Sequence, residues 1–291
     1  MFKILSRVIY RVLYIINFFT SKFFNKNLLL WLKEFIEEDS YENLKIGNKK
    51  ISFFVPNNLI KWRIETFFDK EPETIEWINN FNQKKSIFWD IGSNIGQYSI
   101  YCAIKHKKSQ VVSFEPSAGN LRILSRNISK NGLTNKIKIF PIPLTKYQNK
   151  FFIFEESNFL EGTAHNNFNK NKVKDYSNLK KKMKYQIYGT SINYLLKEKI
   201  LDVPNYIKID VDGLEYLILK GAEKFLNNPQ LKEILIELDE SKKKEFNNTI
   251  KLLEENNFIF FKKKRNEKFH ITKESKFIFN YIFRKINYKN F

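Results

Sequence analysis

From Ser86 onward, short apolar runs alternate with stretches of helical periodicity, and this alternation narrows the possible folds more than any other feature. SIFWDI reads as a strand, QYSIYCAIKH as a helix and QVVSFE as a second strand. SAGNLRILSRNISKN is helical and stops at Asn131-Gly132, a pair suited to a C-cap. KIKIFPIPL is extended again. After a polar, irregular stretch from about 155 to 184, YIKID, LEYLILKGAEKFL and LKEILIEL repeat the strand–helix–strand pattern. Helix KKKEFNNTIKLLEEN and strands near FIFFK and SKFIFNYIF follow. Strands separated by helices pair in parallel through crossovers, so the expectation is a doubly wound α/β sheet. Its ligand belongs beyond the carboxyl ends of the strands, at the switch point.

Upstream, residues 1 to about 45 read as helical, and KKISFFV turns β-like before the turn signal Pro56-Asn57-Asn58. A helix is expected from Pro72 to Phe81, with Pro72 at its first position and Glu71 beside its positive end. The division expected is a helical extension at 1–48, a β/helical lead-in at 49–85 and a main domain at 86–291, with an insertion at about 155–184. No internal repeat or Gly/Ser linker interrupts it.

Composition bears on partners. The net charge of +20 fits a polyanionic partner, but Lys, Asn, Ile and Phe are over-used together, as translation of an A+T-rich genome would produce. Cys102 is the single cysteine, which excludes an internal disulfide and a Cys-rich zinc site. His106, His165 and His270 are too scattered for a zinc-binding HExxH pattern, so no metal is assigned and a reducing cytoplasmic setting is expected. In RVIYRVLYIINFFTSKFF, the run from Val12 to Phe19 falls short of the ~20 residues of a spanning helix, and no small-residue cleavage site follows. Arg7 and Arg11 share one helical face. The segment therefore reads as an interfacial membrane helix, giving residues 1–25 peripheral contact with the membrane's inner face, or as a helix packed on the domain or a second subunit.

The densest motif is FWDIGSNIGQYSI, residues 88–100. Asp90 falls at the carboxyl end of the first strand of the series. Gly92 and Gly96 permit a sharp turn and close approach, and free N–H groups at the following helix start attract carboxylate oxygens. The spacing is not the dinucleotide G-x-G-x-x-G, and Asp90 would repel a pyrophosphate. An ammonium against Asp90 with a carboxylate on the amides suits the site better. Glu115, 25 residues on, reads alone as a strand-end charge; with Asp90, Gly92 and Gly96 it reads as an acceptor for two ribose hydroxyls. An amino acid joined to a nucleoside, S-adenosylmethionine, fits both ends. In NYIKIDVDGLEYLILKGAEKFL, Asp210 reaches the same sheet edge, while Asp212 and Glu215 suit a helix entry turn.

DIGSNIG with FEP, followed later by KIDVDGLE and LKGA, resembles the two signatures of the FkbM family of S-adenosylmethionine-dependent O-methyltransferases. Ser93 stands where that family's pattern has alanine, and Asp212 where it has glutamate. TSINYLL, Glu71-Pro72 and LKEILIEL also have counterparts, and the likeness covers roughly 50–285. The resemblance implies a Rossmann-like class I methyltransferase with a mostly parallel seven-stranded sheet. It implies methyl transfer to a hydroxyl of a sugar, glycan, glycolipid or secondary metabolite.

The residues expected at the cofactor are Asp90, Gly92, Asn94 and Gly96 from the first turn. Tyr98, Glu115, Pro116 and Thr145 complete that set. Asp210 is the expected base or hydroxyl acceptor, with Glu237 and His165 as further catalytic candidates. Asp210 and Glu237 are also of the type that holds Mg²⁺, although no metal is part of the reading. The insertion reads as a cap over the acceptor or as a surface loop. The alternatives are an RNA ribose 2′-O-methyltransferase, suggested by charge, and a non-catalytic S-adenosylmethionine-binding scaffold. Base amino-group methylation is disfavoured because no N/D-P-P-Y/F motif follows the fourth strand.

Overall fold

The computed structural model describes residues 1–82, 85–156, 160–163, 183–269 and 275–288. Helices α1 (Phe2–Phe24) and α2 (Leu28–Asp39) precede a hairpin of β1 (Tyr41–Ile46) and β2 (Lys49–Phe54). Helices α3 (Asn58–Glu65), α4 (Phe67–Lys70) and α5 (Pro72–Asn79) lead into the core. There β3 (Ile87–Ile91), α6 (Gln97–Lys105), β4 (Gln110–Phe114), α7 (Ala118–Lys130) and β5 (Ile137–Phe140) alternate. A two-stranded antiparallel arm, β6 (Lys150–Glu156) and β7 (Met183–Gly189), follows. The chain continues through α8 (Ile192–Lys197), β8 (Tyr206–Ile209), α9 (Glu215–Lys220), β9 (Glu233–Asp239), α10 (Lys243–Glu255), β10 (Phe258–Lys264) and β11 (Ile278–Lys285).

The main sheet has seven strands in the order β10-β11-β9-β8-β3-β4-β5. Strands β9, β8, β3, β4 and β5 run parallel, while β11 lies antiparallel between β9 and β10. The chain moves outward from β3 through β4 to β5, then returns to β8 on its other side. That reversal is the switch point, and it opens a crevice at the carboxyl ends of β3, β4 and β8. Alternate residues divide the core: Phe88, Val111 and Tyr206 pack under α5, α6 and α7, whereas Trp89, Val112 and Ile207 pack under α8, α9 and α10.

Helix α7 fastens the β1–β2 hairpin to the core. Its Asn127 side chain accepts from the Phe54 amide at 2.8 Å and donates to the Ile95 carbonyl at 2.9 Å. Asn131 accepts from Ser52 N at 3.0 Å and donates to Ser52 O at 2.7 Å, so side-chain amides occupy the free edge of β2.

Three expectations need correction. Residues 41–46 are strand rather than helix: YENLKI pairs with KKISFF through a turn in which Gly47 has φ +58°. The helical extension therefore ends at Asp39, and the division expected after residue 48 cuts the hairpin. Glu155, Glu156, Met183 and Lys184 belong to β6 and β7 rather than to an irregular stretch. Strand β5 stops before Pro141, whose missing N–H ends the ladder.

Candidate active site

The turn after β3 alternates left-handed residues, with φ +85° at Gly92, +50° at Asn94 and +86° at Gly96. The need for glycine at 92 comes from the protein itself. A Cβ there would stand 1.9 Å from the Asp210 carbonyl oxygen, where β8 leaves the sheet. At Gly96 a Cβ would lie 2.4 Å from the Leu124 side chain. The amides are also engaged internally. Gly92 and Ser93 donate to the Phe114 carbonyl at 2.9 and 3.0 Å, Gly96 donates to Ser93 O, and Asn94 donates to Glu115 Oε2 at 2.7 Å. These four amides are therefore engaged within the protein, whereas the helix start to which the expectation refers begins at Gln97.

Glu115, just past β4, accepts from the Ser117 amide with its other oxygen at 2.9 Å. It thus fixes the turns after β3 and β4 together. Burial pushes its carboxyl up to about 7, against the pull of those two amides. Beside it opens a cavity of about 330 Å³, within the range of small-molecule sites. Of the expected residues, Gly92, Asn94, Glu115, Pro116, Asp210 and Glu237 line it. Asn94 donates through Nδ2 to the Thr163 carbonyl at 3.1 Å, while its buried Oδ1 has no partner among the described residues. Gly162 and Thr163 close this end, held by Asn120 Oδ1 on the Gly162 amide and by Arg63 Nε on the Gly162 carbonyl. Trp62 and Phe269, with ring centroids 6.1 Å apart, also line the cavity.

Asp90, Gly96, Tyr98 and Thr145 are not among the residues of the cavity wall. Asp90 is fully buried on the α6 side of the sheet, where Ser99 Oγ donates to it at 2.6 Å and bonds Ser113 Oγ at 2.6 Å. The strand pleat, not recoverable from the motif alone, turns this side chain towards the helix. Burial raises its pKa despite Lys208 and Ser99, and its Oδ1 has no partner among the described residues. Thr145 is buried where its amide donates to Thr190 O at 2.9 Å, packed so closely that a Cβ on Gly221 would meet its carbonyl at 2.3 Å. His165 lies outside the described residues.

The second wall of the cavity is built from charges. Lys208, in the middle of β8, is 1% exposed, and its Nζ lies 2.7 Å from Asp210 Oδ2. Burial alone would lower its pKa, but Asp210, Glu71 and Asp90 outweigh that and raise it above the ordinary lysine value. The same Nζ lies 5.0 Å from the centre of the Tyr98 ring. Tyr98 donates its hydroxyl to Glu71, which also pairs with Lys70 at 2.9 Å. Burial would raise the Glu71 carboxyl, but Lys70 and Lys208 hold it far below the usual carboxylate range. Glu237 behaves oppositely. Burial, then the charges of Asp210 and Asp212, push its carboxyl well above the usual carboxylate range, which favours the protonated form. In that form it is a hydrogen-bond donor to whatever occupies the cavity.

Sequence reasoning missed Lys208, Lys70 and the cavity residues of α3. One signal was available for Lys208: a lysine inside an apolar strand next to β3 has no solvent to reach and needs buried carboxylates. Among the described residues, no group of three or more His, Cys, Asp or Glu is placed to hold a metal ion.

The methyltransferase FkbM domain matches residues 90–260, from the end of β3 into β10. Methyltransferase sdnD from Sordaria araneosa is 25% identical over 155 residues, 46% of this chain and 59% of that protein, so the chain spans under two thirds of this relative's length. Among solved structures, methyltransferase FkbM from Methylobacillus flagellatus KT is 16% identical with a TM-score of 0.44, covering 68% of this chain and 44% of that one. TrmK from M. capricolum, solved with S-adenosylhomocysteine, is 14% identical with a TM-score of 0.42, covering 74% and 68%. The domain match takes in more than half of the residues, including both strand-end signatures, and on that ground the chain belongs to the FkbM methyltransferase family.

Proposed function

We propose that the cavity binds S-adenosylmethionine and that the protein methylates a hydroxyl of a sugar, glycan, glycolipid or secondary metabolite. The observation that carries this reading is the placement of Glu115 and of the Asp210–Glu237 pair around one cavity, on either side of the Gly92 turn. Glu115 uses two of about four acceptor positions on amides, and the Asn120 side chain reaches it as well; what remains serves the hydroxyls of a ribose. The unpartnered Asn94 Oδ1 adds an acceptor, and Phe114, Ile142, Pro143 and Leu144 supply an apolar wall for a base. These residues fit the cofactor. Residues 86–291 form the catalytic domain in this reading, with α3 and α4 contributing Trp62, Arg63 and Lys70 to its cavity.

When bound, the cofactor supplies an electrophilic methyl group on a sulfonium. The chain's own task is to align and deprotonate the acceptor. Asp210 accepts the hydrogen bond of the attacking hydroxyl and takes its proton as the bond forms. Lys208 holds that carboxylate in place. Glu237, carrying its proton, donates to a second acceptor oxygen and so selects which hydroxyl faces Asp210. Orientation of this kind contributes roughly 7–11 kcal/mol to such reactions. The test is transfer of labelled methyl groups to a panel of sugars, glycolipids and RNA. Labelling of a small hydroxyl acceptor is expected; labelling of RNA alone would replace this reading with ribose 2′-O-methylation.

A further inference from the structure

We propose that α1 is a docking surface for an anionic lipid bilayer, on which it lies parallel to the membrane plane. This goes beyond the proposed reaction and rests on a different part of the molecule. None of the 23 residues of α1 is buried. At helical spacing, Ile4, Leu5, Val8, Val12, Ile15 and Phe19 fall on one side, and Lys3, Arg7, Tyr14 and Ser21 on the other. Helix α2 packs along the edge between them. The half-buried positions of α1 are Leu13, Asn17 and Thr20, and Asn17 Oδ1 accepts the Leu29 amide at 3.0 Å. The apolar side is left open, with Ile4 71% and Phe19 52% exposed, and Trp31 and Phe35 of α2 exposed as well. A contiguous face of this kind exceeds the scattered apolar residues of an ordinary surface.

Charge decides what covers it. Residues 1–33 carry Lys3, Arg7, Arg11, Lys22, Lys26 and Lys33 and not one Asp or Glu. Acidic residues enter only in the second half of α2, at Glu34, Glu37, Glu38 and Asp39, where Glu37 already pairs with Arg122 and Arg126; a second copy docked through α1 would bring the same six positive charges to the seam, whereas anionic headgroups complement them. Arg and Lys at the edge of an apolar face extend their heads to the phosphate layer while their stems stay against the acyl chains. Among the described residues no helix is long and apolar enough to cross a membrane. Surface insertion, not spanning, therefore buries this face.

The test is co-sedimentation of the full chain with vesicles of phosphatidylcholine alone, or of phosphatidylcholine and phosphatidylglycerol at about 7:3. Binding to the anionic vesicles should exceed binding to the neutral ones by about tenfold or more and should weaken in high salt. The double substitution Val8→Glu with Val12→Glu should abolish it, while S-adenosylhomocysteine binding and the circular dichroism spectrum stay unchanged. Arg7→Gln with Arg11→Gln should lower the preference for phosphatidylglycerol. Absence of vesicle binding, or binding that survives Val8→Glu with Val12→Glu, overturns the proposal. A dimer without vesicle affinity that the same variant dissociates overturns it in favour of a second copy. Loss of the methyl-donor site would show in the S-adenosylhomocysteine titration alone, so the two readings fail separately.

Discussion

The two ends of the cavity hold carboxylates by opposite means. At Glu115 the carboxylate is fixed by backbone amides of Asn94 and Ser117, and burial leaves its pKa near neutrality. At Asp210 the carboxylate is fixed by a buried ammonium, Lys208, that Glu71 and Asp90 help to keep charged. One end depends on turn geometry and the other on a balance of side-chain charges in a medium of low dielectric constant. Hydroxyls that only need acceptors suit the first end. A reaction that moves a proton suits the second, where neighbouring carboxyls are shifted in opposite directions: Glu71 is held below the usual carboxylate range and Glu237 is pushed above it.

The comparison breaks most sharply at Lys208. Lys208→Met leaves its acidic neighbours without their shared cation, and the loss of stability should be about 3–5 kcal/mol by equilibrium urea unfolding. A loss under about 1 kcal/mol would mean that the charges are not balanced through this lysine. Asp210→Asn should lower turnover roughly 100-fold and leave S-adenosylhomocysteine affinity within about twofold. Equal losses in both would place Asp210 at the cofactor instead of the acceptor. Tyr98→Phe removes one hydrogen bond from a buried Glu71 that keeps Lys70, so a cost of about 1–2 kcal/mol is expected in thermal unfolding, with cofactor affinity unaffected. Weakened cofactor binding in that variant would put Tyr98 in the cofactor site after all.

The smallest effect is one of pH. Glu115 is raised from the ordinary glutamate value to about 7, so the folded chain holds a proton between roughly pH 4.5 and 7 that the unfolded chain has released. Its contribution to stability therefore falls as pH rises through that window and levels off above it. Ligand hydroxyls favour the ionised form, so S-adenosylhomocysteine affinity should weaken by about tenfold from pH 8 to pH 6, with proton release on binding at pH 6. Affinity independent of pH would show that the ligand does not bond this carboxylate.

Much of this site was legible because parallel strands buried on both faces are short and apolar, which makes Asp210 and Glu115 conspicuous where they end. The two signatures around them also carried the family. Less legible was the direction of each side chain. Asp90 looks equivalent to Asp210 in sequence, but the pleat sends it under α6 to Ser99. The state of Glu237 depends on Asp210 and Asp212 arriving from another strand end, which no local pattern records. Strands β1, β6 and β7 escaped notice because YENLKI, KFFIFEE and MKYQIYG mix polar and apolar residues on strands that pair outside the main sheet.

The central claim, that a Glu115-anchored cavity at the strand ends holds the methyl donor, is tested most directly by isothermal titration calorimetry with S-adenosylhomocysteine, using the intact chain and Glu115→Ala, with NADH as the control ligand. Micromolar binding of S-adenosylhomocysteine, none of NADH, and loss of at least about 100-fold in the variant are expected, since two hydrogen bonds to a charged acceptor are worth roughly 1.5–3 kcal/mol each. Absence of S-adenosylhomocysteine binding, or equal affinity in Glu115→Ala, would contradict it.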